Sequence, residues 1–289
     1  MTAMLNNRAK SMLGRLQHPH ACPSPSRGGN REGMGHRGVA LLIALLVTTL
    51  LMALVVEFAY GTRVSLRAAV NFRDSQRAYY LARSGVSFAG MLLAENLRNG
   101  KPRDNLEQRE WQVVPIVSGG DRELRVRWED EGGKINIGPS NFATNENWFR
   151  ELLTQTGVNQ EVVNRIKDAK MKIYLVEDLH QIMSDEEYGK VRDFVTTLSD
   201  GKIDVNTASE TVLKSVLVGK TTTPDTLVTS RKDKPMTVLP TDINQTPYAT
   251  TSDHFKIQSY ATVGGYTKQA EAVILRDKTK YTTLYWRLW

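Results

Sequence analysis

Val39-Ala40-Leu41-Leu42-Ile43-Ala44-Leu45-Leu46-Val47-Thr48-Thr49-Leu50-Leu51-Met52-Ala53-Leu54-Val55-Val56 is an apolar run interrupted only by two threonines, and no charge appears until Glu57. Eighteen residues at ~1.5 Å rise span about the hydrocarbon core of a bilayer. The chain is expected to cross a membrane once.

Upstream of the run, Arg8, Lys10, Arg15, Arg27, Arg31 and Arg37 face a single acid, Glu32. That flank holds +5 of the net charge of +7, so the rest of the chain is nearly neutral and its basic pI carries little information about nucleic acid. Positive charge stays on the cytoplasmic side of a membrane, which predicts a cytoplasmic N-terminus, an inner-membrane helix and an exported C-terminal part. A secretory signal peptide has an apolar core of about 7–15 residues followed by a small-residue cleavage site. Here the run is longer, and Ala59-Tyr60-Gly61 beyond it is a poor site. The bond between Gly38 and Val39, ahead of the run, is the better processing point. Residues 1–33 are rich in Ser, Pro, Gly and His without apolar periodicity, and Met34-Gly35-His36-Arg37-Gly38 would serve as a short basic leader, so the start could be Met1 or Met34.

A glycine followed at once by a bilayer-length helix resembles the type IV prepilin class, in which a peptidase cuts the leader on the cytoplasmic face and the apolar segment becomes the first helix. The resemblance implies prepilin peptidase as a partner and makes Ile43 the fifth mature residue, where most pilins carry Glu. A carboxylate in lipid is costly unless paired, and in pilins it pairs with the N-terminal amine of a neighbouring subunit. Its absence resembles the K-type minor pseudopilin of the bacterial type II secretion system.

Processing would leave about 250 residues, enough for one or two cores. The one cysteine, Cys22, would leave with the leader, so no disulfide is expected in the exported part. His180 and His254 alone would remain, which excludes His/Cys zinc or copper clusters and cysteine catalysis there.

Residues 39–98 lack proline and read as one helix of about 90 Å. Ala69, Phe72, Ala78, Leu81, Val86, Ala89 and Leu93 mark an apolar face, with Arg63, Arg67, Arg73, Arg77 and Arg83 between them as a solvated face or as intersubunit partners. Gln76-Arg77-Ala78-Tyr79-Tyr80-Leu81-Ala82-Arg83-Ser84-Gly85-Val86 resembles the Q-A-x-Y-L-A-R-S-G-V segment of K-type pseudopilins, with Ala82, Ser84 and Gly85 permitting close packing. Gly85-Val86-Ser87-Phe88-Ala89-Gly90 is no nucleophile elbow, being mid-helix with the wrong spacing.

Asn99-Gly100-Lys101-Pro102 should end the helix. Trp111–Val117 and Glu123–Trp128 read as strands of a hairpin around Ser118-Gly119-Gly120-Asp121. Trp128-Glu129-Asp130-Glu131-Gly132-Gly133-Lys134-Ile135-Asn136-Ile137 is similar to the family's V-x-D-E-x-G-K-I-N-L-N. Its acids suggest either a calcium loop or a polar turn, but the EF-hand order is missing.

From Asn145 to Val218 the pattern becomes five short helices: around Trp148–Leu153, Val162–Ile166, Val176–Ile182, Tyr188–Leu198 and Ala208–Leu217. Gly157–Ile182 and Ile203-Asp204-Val205-Asn206-Thr207-Ala208-Ser209-Glu210-Thr211-Val212-Leu213 resemble helix-hairpin-helix units, with Asn206 or Thr207 capping the fifth helix. The glycine hairpin that holds phosphate in DNA-binding versions is missing, and Asp178, Asp185, Glu186 and Glu187 would repel it. Nucleic acid is therefore not the expected partner. Residues 220–252, rich in Thr, Pro, Asp and Ser, read as a long surface loop with a short strand or turn near Met236–Leu239. Phe255–Thr262 and Gln269–Leu275 form an antiparallel hairpin over Val263-Gly264-Gly265-Tyr266, and Tyr281–Trp289 closes the chain.

The resulting expectation is an α+β protein: a long N-terminal transmembrane helix packed on a small antiparallel sheet, with an inserted all-α subdomain. Its segments are a leader (1–38), the helix (39–98, membrane part 39–56), a first β region (99–140), a helical insert (141–219), a loop (220–252) and C-terminal strands (253–289). No nucleophile-and-base constellation is found, so no enzyme is expected, and no motif requires a cofactor. The resemblance implies a pseudopilus-tip subunit with I- and J-type minor pseudopilins and other pseudopilus subunits as partners, methylation after processing, and structural calcium whose ligands match no residues here. The alternatives are a minor pilin of a type IV pilus or DNA-uptake system and a membrane-anchored periplasmic enzyme.

Overall fold

The computed structural model describes residues 34–100, 110–115, 119–232, 234–243 and 246–289, with side chains from Gly38 onward. The leader over residues 1–33, the choice of start, and the predicted strand residues Ile116 and Val117 lie outside the described residues. Two compact units are distinguished, Met1–Arg63 and Val64–Trp289. The described part of the first is helical, belonging to α1 (Met34–Arg98), whose segment from Gly38 is long and apolar enough to cross a membrane.

In the second unit, residues of α1 cover one face of a five-stranded antiparallel sheet. Its strands are β1 (Gln112–Val113), β2 (Arg122–Asp130), β7 (His254–Val263), β8 (Tyr266–Arg276) and β9 (Tyr281–Leu288), adjacent in that order. Strict alternation along β7 puts Phe255, Ile257, Ser259, Ala261 and Val263 inward, as a half-buried strand requires. Val263 and Tyr266 pair across Gly264 and Gly265, both at positive φ, the two-residue turn whose twist matches a hairpin.

Ala82, Val86, Ala89 and Leu93 lie on Leu124, Val126, Trp128, Phe255 and Ile257 to form the first core. At Gly85 helix and sheet approach closely: a Cβ there would stand 2.9 Å from Leu124 Cδ1 and collide with the Ser259 hydroxyl. Three expected contributors to this face fall elsewhere. Ala69 and Phe72 are exposed, Phe72 by 68%, and Ser84 points to solvent and donates to the Leu81 carbonyl. The buried position on that turn is Asp74, which fits beneath the Gly264 turn and pairs with Arg73. The other predicted outer arginines, Arg63, Arg67, Arg77 and Arg83, are exposed.

A second core, from Ile135 to Tyr248, is mostly helical: α2 (Phe142–Gln155), α3 (Glu161–Asp168), α4 (Asp185–Val191), α5 (Glu210–Val216) and α6 (Pro224–Arg231). Short parallel pairs brace it, β3 (Ile135–Asn136) with β4 (Val195–Thr196) and β5 (Ile203–Asp204) with β6 (Tyr248–Ala249).

Several expectations change here. The third helix is a 3-10 segment, Val176–Gln181, and the fourth starts earlier, at the Ser184–Glu187 capping box, then gives way to β4. Ser209, not Asn206 or Thr207, caps α5 by accepting from the Val212 amide. The supposed loop 220–252 contains α6, capped by Thr223 with Pro224 in the first turn, and β6. Its Leu227, Ile243 and Tyr248 are buried in the second core, where the Tyr248 hydroxyl donates to the Val216 carbonyl at 2.6 Å.

Candidate functional site: an apolar helix and a buried junction

Gly38, Val39 and Ile43 all lie on α1, and Val39 and Ile43 are 55% and 58% exposed. Among the described residues nothing covers this segment: the apolar side chains from Val39 to Val56 are exposed. Helices apolar all round suit a lipid environment, provided their backbone and hydroxyl groups are satisfied internally. Thr48 and Thr49 meet that condition by donating to the Leu45 and Leu46 carbonyls at 2.9 Å. The cut bond inferred at Gly38-Val39 is thus in the helical stretch, and a Cβ on Gly38 would meet nothing within 4 Å.

The polar feature of the second unit is buried, where the stretch Asp130–Lys134 meets Asp204–Thr207. The Asp204 amide donates to the Gly132 carbonyl at 2.9 Å, and the Thr207 hydroxyl donates to Asp130 Oδ2 at 2.5 Å. Asp130 Oδ1 accepts from the Gly132 amide at 2.8 Å. Gly133 has no room for a side chain, since a Cβ would lie 2.9 Å from the Thr207 backbone. Asn206 is a spacer for the following chain, donating to the Met236 and Thr250 carbonyls and accepting from the Met236 amide. The two segments singled out separately in the sequence are therefore one joint between the sheet and the helical subdomain.

One ion pair, Glu131 with Lys134, is buried in the joint. Burial works against the Glu131 charge, but the Lys134 ammonium 2.7 Å away, with help from Thr196 and Lys256, outweighs it and holds the carboxyl below its usual range. Lys134 also lies 3.4 Å from Glu129. Burial pushes the Asp130 carboxyl above the usual aspartate range, against hydrogen bonds from Ser252, Thr207 and Gly132. Behind the joint, Arg276 stacks its guanidinium 4.5 Å from the Phe255 ring centre and donates to the Ser252 carbonyl, while Arg231 of α6 donates to the Val205 carbonyl. The sequence marks Ser252 and Arg276 only as the two ends of the C-terminal strand pair, S-x-x-F-x-I and the β-run that closes at Arg276, and does not mark Arg231. Single polar residues flanking a loop or ending a strand carry no periodic signal.

Among the described residues, no three His, Cys, Asp or Glu side chains gather as metal ligands would. The acids of the Asp130 turn are occupied by protein donors. The I-D-V-N-T-A turn is likewise engaged within the protein, with Asp204, Asn206 and Thr207 buried. On the sheet's other face, a cleft of about 360 Å³ opens towards the helical subdomain, lined by Arg127, Glu129, Lys256 and Glu271 on one side and Glu177 and Arg192 on the other. Its lining carries charges of both signs.

No known family profile matches the chain, and no curated protein matches it in sequence. The fold is recognisable. It superposes on a chain from the crystal structure of the GspK-GspI-GspJ complex of the enterotoxigenic Escherichia coli type 2 secretion system with a TM-score of 0.56 at 15% identity, covering 78% of this chain and 99% of that one. The antiparallel sheet, the helix packed on it and the helical subdomain make an α+β fold like that of the matched chain of the GspK-GspI-GspJ complex.

Proposed function

We propose that this chain is a K-type minor pseudopilin, a non-catalytic subunit that stands at the tip of the type II secretion pseudopilus, initiates its assembly and supports protein export across the outer membrane. The observation that carries the reading is the fold likeness to a GspK-GspI-GspJ chain, joined to an exposed apolar helix with Ile43 where pilins carry Glu. Prepilin peptidase would cut between Gly38 and Val39 at the cytoplasmic face. The Val39–Val56 helix then holds the subunit in the inner membrane, with the sheet and helical subdomain in the periplasm, until it is drawn into the filament. A subunit with nothing stacked above it needs no carboxylate to meet an incoming N-terminal amine, which is consistent with Ile43. The bulk of the helical subdomain would obstruct further stacking.

I- and J-type minor pseudopilins are the expected direct partners, with other pseudopilus subunits below. Co-expression of the full chain with both, followed by detergent extraction, should yield a complex. Immunogold labelling should mark filament ends. Label distributed along the shaft would overturn the tip assignment, and a full chain that never co-purifies with I- and J-type subunits would overturn the K-type one.

A further inference from the structure

On the face of the sheet turned away from α1, strand register sets two neighbouring rows of side chains. One is Arg127, Gln258, Glu271 and Arg287, paired successively across β2, β7, β8 and β9. The other includes Tyr260 of β7, Gln269 of β8 and Trp289, whose backbone N–H and C=O both bond to Gln269 at 3.0 Å. Tyr260 and Trp289 therefore stand two strand spacings apart, ~10 Å, with the Gln269 side chain between them. A third ring, Trp111, lies 6.2 Å from Tyr260, and Trp111, Tyr260 and Trp289 are 40%, 41% and 47% exposed. Arginines hold two of the rings: the Arg127 guanidinium sits 4.8 Å from the centre of Trp111 and that of Arg287 4.9 Å from Trp289. Arg127, Gln258, Glu271, Arg287 and Trp289 also line the cleft of about 360 Å³, so cleft and aromatic face are continuous.

Among the described residues the cleft lining holds five cationic side chains and five carboxyl groups. They are matched locally: Lys134 lies 2.7 Å from Glu131, Lys256 3.3 Å from Glu271 and Arg287 3.9 Å from Glu177. A balanced lining sets up no field for a polyanion, and charged and amide groups on the sheet side offer no apolar floor for a lipid. A neutral polyol fits both conditions. Arg127 Nε donates to Gln258 Oε1 at 2.6 Å and Gln258 Nε2 to Glu271 Oε2 at 2.5 Å, which fixes these planar groups and leaves their other donors and lone pairs to hydroxyls, which both donate and accept. Hexoses with equatorial substituents also present flat C–H faces, which pack on exposed aromatic rings.

We propose that the cleft and the aromatic face beside it bind a neutral, linear β-1,4-linked glycan, with its sugar faces on Trp111, Tyr260 and Trp289 and its hydroxyls on Arg127, Gln258 and Gln269. The full chain, in a polyoxyethylene detergent that carries no sugar to compete, is titrated with chitohexaose and followed by tryptophan fluorescence. Saturable binding is expected, and it should change little between low salt and ~0.5 M salt because no ion pair forms. Tyr260→Ala and Trp289→Ala should each weaken it about tenfold. Trp286→Ala is the control: Trp286 is 39% exposed but pairs with Ala272 on the α1 side of the sheet, and its loss should leave binding unchanged. Each variant is first checked for an unshifted unfolding transition, and should one ring variant fail to fold the other carries the expectation. Co-sedimentation with purified peptidoglycan, displaced by chitohexaose, assigns the glycan to the cell wall; hexaose binding without it assigns a free oligosaccharide, and either supports the site. No chitohexaose binding, binding that collapses with salt, or binding that survives in the folded ring variants would overturn the proposal.

Discussion

The two ends of α1 have the same secondary structure and opposite surroundings. From Val39 to Val56 the helix is apolar on every side and exposed on every side, whereas from Ala78 to Leu93 one apolar stripe, Ala82, Val86, Ala89 and Leu93, is buried on the sheet. A helix apolar all round needs a nonpolar solvent. A helix apolar along a stripe needs a partner surface. The sheet supplies that surface in the second case, and a bilayer is the solvent that fits the first.

The largest effect that could break this contrast is Leu93→Ala, which removes a side chain 1% exposed in the helix–sheet core and should cost roughly 2–5 kcal/mol, read as a lower denaturation midpoint of the second unit's unfolding transition. Leu46→Ala in the apolar run should leave that transition unmoved. Leu46→Arg should instead raise the cost of membrane insertion by ~3 kcal/mol, seen as a soluble fraction after alkaline extraction, with the fold of the second unit unchanged. Gly85→Ala sharpens the comparison. In an exposed helix the change is favourable, but here the new methyl group runs into Leu124 and Ser259, so a net loss of ~2 kcal/mol is expected, while Gly61→Ala, with nothing within 4 Å, should be neutral or stabilising. The smallest effect is Ser259→Ala. The Ser259 hydroxyl is buried in this layer with no hydrogen-bond partner among the described residues, and its removal should raise stability by about 1 kcal/mol in the same measurement.

Sequence patterns read well where a single period governs. The alternation of Phe255–Thr262 predicts β7 to within a residue at each end, and the Gly264-Gly265 turn predicts its pairing with β8. The loop read over 220–252 shows the limit. Thr223-Pro224-Asp225 is a helix start, with cap, first-turn proline and first-turn acid, yet the surrounding Thr, Pro and Lys outweigh it in composition. Phe72 shows another limit: its spacing fits the apolar face, but the turn it occupies lies beside the Gly264 hairpin, where Asp74 takes the buried position.

The apolar run Val39–Val56 could be recognised from sequence because solvent preference is a property of a local stretch of side chains, and eighteen apolar residues declare it without any partner. The meaning of Asp130-Glu131-Gly132-Gly133-Lys134 could not. Acids near glycines read equally as a cation loop or an exposed turn, and which charges are buried and which atoms satisfy them depends on segments more than seventy residues away in the chain, as the Thr207–Asp130 bond shows. Only the folded arrangement brings Thr207, Asp204 and Lys134 to that turn, because burying a charge is tolerable only where the tertiary structure delivers its partners.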